Sequence, residues 1–198
     1  MKRSLATLAR PLLPLLLLIL PPAAFADEAL WALLKKGGQV VLVRHAVTDP
    51  GFGDPPGFSL HDCKTQRNLS AEGRKEARRL GAAFRARGIP VGRVLSSPWC
   101  RCLETAKLAF GQFGAARSDG TLANLFGRGE NAELQKAAFR KLASTPPAEG
   151  NLVLVTHGST VAAFTGISPG TTELVIVAPG VGGHRVAGRL SVGPSIPE

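Results

Sequence analysis

The stretch Gly38-Gln39-Val40-Val41-Leu42-Val43-Arg44-His45-Ala46 governs how the rest of the chain reads. Four consecutive aliphatic residues leave no polar face for solvent, the pattern of a strand buried on both sides in a parallel sheet packed between helices. The run stops abruptly at an arginine and a histidine. Two further runs have the same form. Arg93-Val94-Leu95-Ser96-Ser97 leads into Pro98-Trp99-Cys100-Arg101, and Asn151-Leu152-Val153-Leu154-Val155 ends at Thr156-His157-Gly158. In open α/β sheets ligands sit beyond the carboxyl ends of the strands, so Arg44, His45, Arg101 and His157 are predicted to meet there.

The segments between these runs carry helical spacing. Ser70 is placed to cap a helix in which Gly73, Ala77, Leu80 and Phe84 recur on one face and Arg74, Lys75, Arg78 and Arg79 on the other, with Gly88 and Pro90 as stops. Leu103, Ala106 and Phe110 form a second stripe, a third helix is predicted from Ala132 to Leu142, and a short one from Ser159 to Phe164. Glu173 to Val177 reads as a fourth strand. Pro179-Gly180 with Gly182-Gly183 then turns the chain into a last strand, His184 to Val192, as an antiparallel edge pair. The predicted class is α/β, a three-layer, mostly parallel sheet with helices on both faces and antiparallel edge strands. Residues 46–66, rich in Gly, Pro and Asp, make a long loop of the kind that is often functional.

Residues 1–26 read as a secretory signal peptide, with Lys2, Arg3 and Arg10 as the positive flank, Leu12 to Leu20 as the apolar run, and Ala24-Phe25-Ala26 as the cleavage site. Pro14 and Pro21-Pro22 keep that run short of the ~20 residues a spanning helix needs. The expected location is therefore periplasmic or secreted, with residues 27–198 as one domain and no stable membrane span after cleavage. An uncleaved N-terminal anchor is the alternative. With 44% hydrophobic and 19% charged residues the chain is not disordered in composition. Three of the 24 Lys and Arg leave with the leader, taking the formal charge from +10 to +7. The basic balance suits an anionic partner, but without aromatic interleaving or a nucleic-acid motif it does not select DNA or RNA. The Arg-rich face of Arg74 to Arg87 reads as a solvated helix face, Trp99 as packing, and His61 and His184 as surface residues.

Cys63, Cys100 and Cys102 are too few for a disulfide scaffold. In an oxidising compartment Cys63 could bridge to either Cys100 or Cys102, leaving one thiol. The paired C-x-x-C or H-x-x-x-H spacing of a zinc site is missing from the sequence, and no metal or other cofactor is expected.

Two guanidiniums offer permanently charged planar forks that match phosphate oxygens, and two imidazoles can supply a nucleophile and a hydrogen-bond donor. That set describes a phosphoryl-transfer pocket. Flanking arginines push a histidine toward the neutral form that attack requires, and stabilise the charge on the equatorial oxygens.

These residues resemble the histidine phosphatase superfamily, which also contains the cofactor-dependent phosphoglycerate mutases. Val41-Leu42-Val43-Arg44-His45-Ala46 looks like its Arg-His-Gly signature with Ala46 in the glycine position. Leu69-Ser70-Ala71-Glu72-Gly73-Arg74-Lys75-Glu76-Ala77 is similar to its L-[ST]-x-x-G-x-x-[QE]-A helix start. Ser97 to Ala106 resembles S-x-x-x-R-A-x-x-T-A with Cys102 in the alanine position, and Val153 to Gly158 resembles the second His-Gly motif. The resemblance implies that His45 is the nucleophile forming a phosphohistidine, that Arg44, Arg101 and His157 cradle the phosphoryl group, and that water then releases phosphate. Gly158 stands where the acid-phosphatase branch has Asp, so the chain looks like the mutase-type branch, whose general acid lies elsewhere. Glu130 and Glu173 are the candidates for that acid, with Asp49, Asp54 and Asp62 as further options. The expected function is an exported phosphomonoester hydrolase acting on a small phosphorylated substrate. The alternatives are a phosphohistidine phosphatase, a mutase, and a non-catalytic phosphate-binding module of the same fold.

Overall fold

In a computed structural model, which describes residues 22–125, 131–180 and 183–193, the aliphatic run forms β1 (Val40–Arg44), an inner strand of a sheet of six strands among the described residues. The others are β2 (Val91–Ser96), β3 (Arg117–Ser118), β4 (Asn151–Thr156), β5 (Leu174–Gly180) and β6 (Gly183–Leu190), in the order β3-β2-β4-β1-β5-β6. Strands β3, β2, β4 and β1 are parallel, whereas β5 runs antiparallel to β1 and β6 antiparallel to β5. The architecture is the mostly parallel, helix-covered sheet with antiparallel edge strands that the sequence predicts.

The helices are α1 (Pro22–Lys36), α2 (Ala71–Ala86), α3 (Cys100–Phe110), α4 (Asn131–Ser144) and α5 (Gly158–Thr165). Alternation along β1 shows why the run has no polar face. Val41 and Val43 pack with Trp31 and Leu34 of α1, Leu80 and Phe84 of α2, and Ala106 and Phe110 of α3. Val40 and Leu42 pack on the opposite side with Phe139 and Ala143 of α4 and Val161 of α5. The four aliphatic side chains of β1 are fully buried, and each contributes about 1.5–3 kcal/mol by leaving water.

Two elements escape the sequence reading. Strand β3 has two residues, too few for any periodicity to register. Helix α1 begins upstream of the predicted cleavage point and continues past it, and its far end belongs to the core. Trp31 meets Phe84 edge to face at 5.8 Å between centroids, and the Arg87 guanidinium lies 4.4 Å over the Trp31 ring. Residues 1–21, most of the predicted leader, lie outside the described residues. Among the described residues no helix is long and apolar enough to cross a membrane. His184, read as a surface residue, is half-buried and stacked on Phe164 at 4.1 Å.

The start of α2 fastens the chain just beyond His45. Ser70 Oγ accepts the Gly73 amide hydrogen at 3.0 Å, capping the helix. The Ser70 amide donates to the Val47 carbonyl at 3.1 Å, and Glu76 accepts the Val47 amide hydrogen at 3.0 Å and the Thr171 hydroxyl at 3.2 Å. A Cβ at Gly73 would lie 1.9 Å from the Val47 oxygen. Glycine is required there because the helix backbone sits directly against the strand-end loop.

Candidate active site

The carboxyl ends of β1 and β4, the first turn of α3 and the loop after β1 enclose a cavity of about 360 Å³ lined by Arg44, His45, Arg67, Arg101, Asn124 and His157, among others. The four residues singled out in the sequence are brought together, with the His45 and His157 ring centroids 5.5 Å apart. Arg67 and Asn124 join them without having been singled out. Arg67 stands two residues before Leu69 of the second motif, and Asn124 is held by Ser159, whose hydroxyl donates to Asn124 Oδ1 at 2.6 Å. Neither belongs to a periodic element, so only spatial placement finds them. A larger cleft of about 580 Å³ lies elsewhere, beside Gly92, Lys141 and Pro146, and contains no histidine.

The backbone fixes His45 in a form suited to attack. Its amide donates to the Thr156 carbonyl at 3.0 Å, bridging β1 to β4 at their ends. Its Nδ1 lies 2.9 Å from the Ala46 carbonyl oxygen. A carbonyl only accepts, so this contact puts the hydrogen on Nδ1 and leaves the lone pair on Nε2. The His45 pKa is lowered to about 4, chiefly by burial and further by the charges of Arg101, Arg44 and Arg67, against the opposing pull of the Ala46 carbonyl. Thr105 braces the same backbone from α3, accepting the Ala46 amide hydrogen at 3.1 Å while donating to the Arg101 carbonyl at 2.7 Å. Ala46 does not adopt positive φ, so alanine is accommodated in the glycine position of the signature.

Each arginine commits at least one outer nitrogen to the protein. Arg44 Nη1 donates to the Pro169 carbonyl at 3.0 Å, Arg67 Nη1 to the Gly51 carbonyl at 2.6 Å, and Arg101 makes a two-pronged pair with Asp54 at 2.7 and 3.2 Å. The Nε atoms of all three are buried without an acceptor, and among the described residues only Gln39 Oε1 shares that condition. Buried donors are ordinarily satisfied. Three cations around one cavity match the needs of a multiply charged oxyanion.

His157 caps α5 at its N-terminus, with Nε2 2.8 Å from Ser97 Oγ and 3.6 Å from Cys102 Sγ. Trp99 packs edge-on against it at 5.2 Å. Cys63 is bridged to Cys100, with Cα atoms 5.7 Å apart, and Cys102 is the remaining, buried thiol. Burial pushes the Cys102 thiol up to about 12, so it stays protonated and is no rival nucleophile.

A model of the histidine phosphatase superfamily (branch 1) matches residues 40–124, which supports placing the chain in that superfamily. The protein histidine phosphatase SixA, solved with tungstate, is similar over 78% of this chain and 97% of its own, at 18% identity and a TM-score of 0.56. The fold is that of the histidine phosphatases. The product of an open reading frame of Mycobacterium tuberculosis has the same fold over 78% of this chain and 98% of its own (18% identity, TM-score 0.58). So has phosphoserine phosphatase of Entamoeba histolytica, solved with 3-phosphoglyceric acid, over 77% and 96% (13% identity, TM-score 0.57). No curated protein matches the sequence.

Within this histidine phosphatase fold the carboxyl groups fall differently from the expectation. Glu173 does not line the cavity. Arg189 donates to both its oxygens at 2.7 and 2.8 Å, the Gly170 amide donates at 2.6 Å, and the Arg189 guanidinium holds its carboxyl below the usual range. A group so held is a poor proton donor, which corrects its assignment as a general acid. Glu130 lies outside the described residues. Asp49 and Asp62 are exposed, and Asp62 caps a short turn by accepting the Lys64 amide hydrogen at 2.9 Å. Asp54 is paired with Arg101, and although burial opposes it, hydrogen bonds from Arg101, the Arg67 amide and Trp99 hold its carboxyl below the usual range. Among the described residues lining the cavity none carries a carboxyl group. Gly158 explains part of this pattern. A Cβ there would lie 3.3 Å from Arg44 Cδ, so the Arg44 guanidinium packs across the position where the acid-phosphatase branch has its aspartate. No group of His, Cys, Asp and Glu among the described residues is arranged to hold a metal ion.

Proposed function

We propose that the protein is an exported phosphatase that hydrolyses a phosphomonoester through a phosphohistidine on His45. The observation that carries this reading is the free Nε2 lone pair of His45 in one cavity lined by three arginines, Arg44, Arg67 and Arg101. In the first step His45 Nε2 attacks phosphorus as the bond to the leaving oxygen breaks. The leaving oxygen keeps the electron pair and takes a proton from water or from an acid. In the second step water attacks phosphorus, the N–P electron pair returns to Nε2, and inorganic phosphate departs. Arg44, Arg67, Arg101 and His157 hold the equatorial oxygens and offset the charge that develops on them. The phosphatase names of the structural neighbours support this reading. So does the tungstate in SixA, an oxyanion of the same tetrahedral shape as phosphate. Export draws support from the leader-like first 26 residues and from the Cys63–Cys100 bridge, which suits an oxidising compartment.

A second reading, phosphohistidine phosphatase, is favoured by the carboxyl-free described lining, because a phosphohistidine ring is protonated on its other nitrogen near neutral pH and then departs as neutral imidazole, with no carboxylic acid needed at the leaving atom. The test is hydrolysis of a chromogenic aryl phosphate with and without EDTA, beside His45→Ala. Activity that survives EDTA and disappears in the variant is expected; undiminished activity in His45→Ala sinks the mechanism. Phosphorylation of the protein without turnover would favour the binding module. Glu130→Gln then separates the two enzyme readings. It should slow release of alkyl alcohols far more than release of nitrophenol or imidazole if Glu130 is the acid, and should change neither if the substrate class needs none.

A further inference from the structure

Arg101 carries five N–H donors in one plane, and the fold has committed one edge of it. Nη1 donates to Asp54 Oδ1 at 2.7 Å and more weakly to the Arg67 carbonyl at 3.4 Å, and Nη2 donates to Asp54 Oδ2 at 3.2 Å. Nε is buried without a partner. The end of the fork is therefore closed by a carboxylate, which holds the guanidinium plane in place at the cavity that Arg101 lines. The pair is almost dry, with the Arg101 side chain 2% exposed and that of Asp54 6%. Asp54 is itself pinned, accepting the Trp99 indole N–H at 3.0 Å and the Arg67 amide hydrogen at 3.0 Å. A carboxylate held from three sides does not swing away when a ligand arrives.

We infer that Asp54 is a positioning residue for phosphoryl binding: it clamps the end of the Arg101 guanidinium and so fixes the orientation of the charge that Arg101 presents to the cavity. This rests on the phosphoryl-binding reading of the cavity. It gives the long loop a purpose, since Asp54 comes from that loop and the Cys63–Cys100 bridge fastens the loop to the first turn of α3, which carries Arg101. It also makes a prediction opposite in sign to simple charge counting. Three guanidiniums attract an anion and one carboxylate opposes them, so a mere counter-charge would, when neutralised, tighten anion binding. A clamp, when lost, weakens it.

The experiment is calorimetric titration of the intact protein with inorganic phosphate, for the wild type, Asp54→Asn, Asp54→Glu, Arg101→Ala and the Asp54→Asn/Arg101→Ala double variant, with thermal unfolding followed in parallel. Asp54→Asn is expected to weaken phosphate binding by about ten- to a hundredfold, the worth of a hydrogen bond to a charged group. Asp54→Glu, which keeps the charge but displaces it by a methylene, should weaken binding too, and it serves if the asparagine variant does not fold. In the Arg101→Ala background Asp54→Asn should change affinity less than about twofold, because the group it positions is gone. Tighter or unchanged binding in Asp54→Asn, wild-type binding in Asp54→Glu, or full additivity in the double variant overturns the proposal alone. A wild type that binds no phosphate overturns the reading of the cavity together with it.

Discussion

Lowering the pH distinguishes the buried, arginine-flanked His45 from an ordinary histidine. A free histidine half-titrates near pH 6.5, whereas His45 is lowered to about 4, first by burial and then by its three arginine neighbours. Attack requires the neutral ring. At pH 5.5 an ordinary histidine is about nine-tenths protonated and would cost the reaction about tenfold relative to pH 7.5, whereas a group titrating near 4 is still almost wholly neutral. The part of kcat/KM that belongs to His45 should therefore stay level from pH 7.5 to 5.5 and fall only toward pH 4. Because a phosphomonoester itself ionises near pH 6, the assay pairs kcat/KM, corrected for the substrate dianion, with NMR titration of the His45 ring assigned against His45→Ala. A ring midpoint at pH 6 or above, or a corrected tenfold loss by pH 5.5, refutes the reasoning. The same shift bears on stability. The folded pKa lies below the unfolded one, so the unfolded chain takes up the proton first. The contribution is complete above pH 6.5 and is lost as pH falls from there to about 4, a change of about 3 kcal/mol measurable by denaturant unfolding.

Gly73→Ala should lower stability by about 1–3 kcal/mol, as overpacking against immovable backbone does, and should reduce kcat as well, because Val47 lies two residues from His45. Thermal unfolding and steady-state kinetics check both. A variant with wild-type Tm and kcat would deny that the α2 seat fixes the strand end. Thiol counting on denatured, unreduced protein should find one thiol, Cys102, and three would reject the Cys63–Cys100 bridge. Reducing the bridge, which spans a separation of 37 residues, should cost about 3–4 kcal/mol of stability.

The parts of the fold legible in the sequence were those where one physical constraint acts on consecutive residues. A strand buried on both faces must be apolar throughout, so β1 and β4 declare themselves, and the polar residues that end them mark the site. The α2 seat was legible through Ser70 and Gly73, because a cap and a close backbone approach each demand particular residue types. Strand β3 was too short to carry a pattern, and α1 was hidden by the leader-like composition before it. Arg67, Asn124 and the clamp on Arg101 lie in loops, where contacts are made across the chain and no spacing rule applies. Glu173 shows the converse. In the sequence it is a glutamate beside a strand, and what removes it as an acid is Arg189, from the neighbouring antiparallel strand, which donates to both its oxygens.

The central claim is a covalent intermediate on His45, and trapping it is the most direct test. The protein is mixed with an aryl phosphate for milliseconds, quenched in alkali and analysed by peptide mass spectrometry. A phosphoryl group, stable in alkali and labile in acid, is expected on the peptide containing His45, formed and lost at rates that match turnover and missing from His45→Ala. Steady hydrolysis with no such adduct, or an adduct on any other residue, would contradict it.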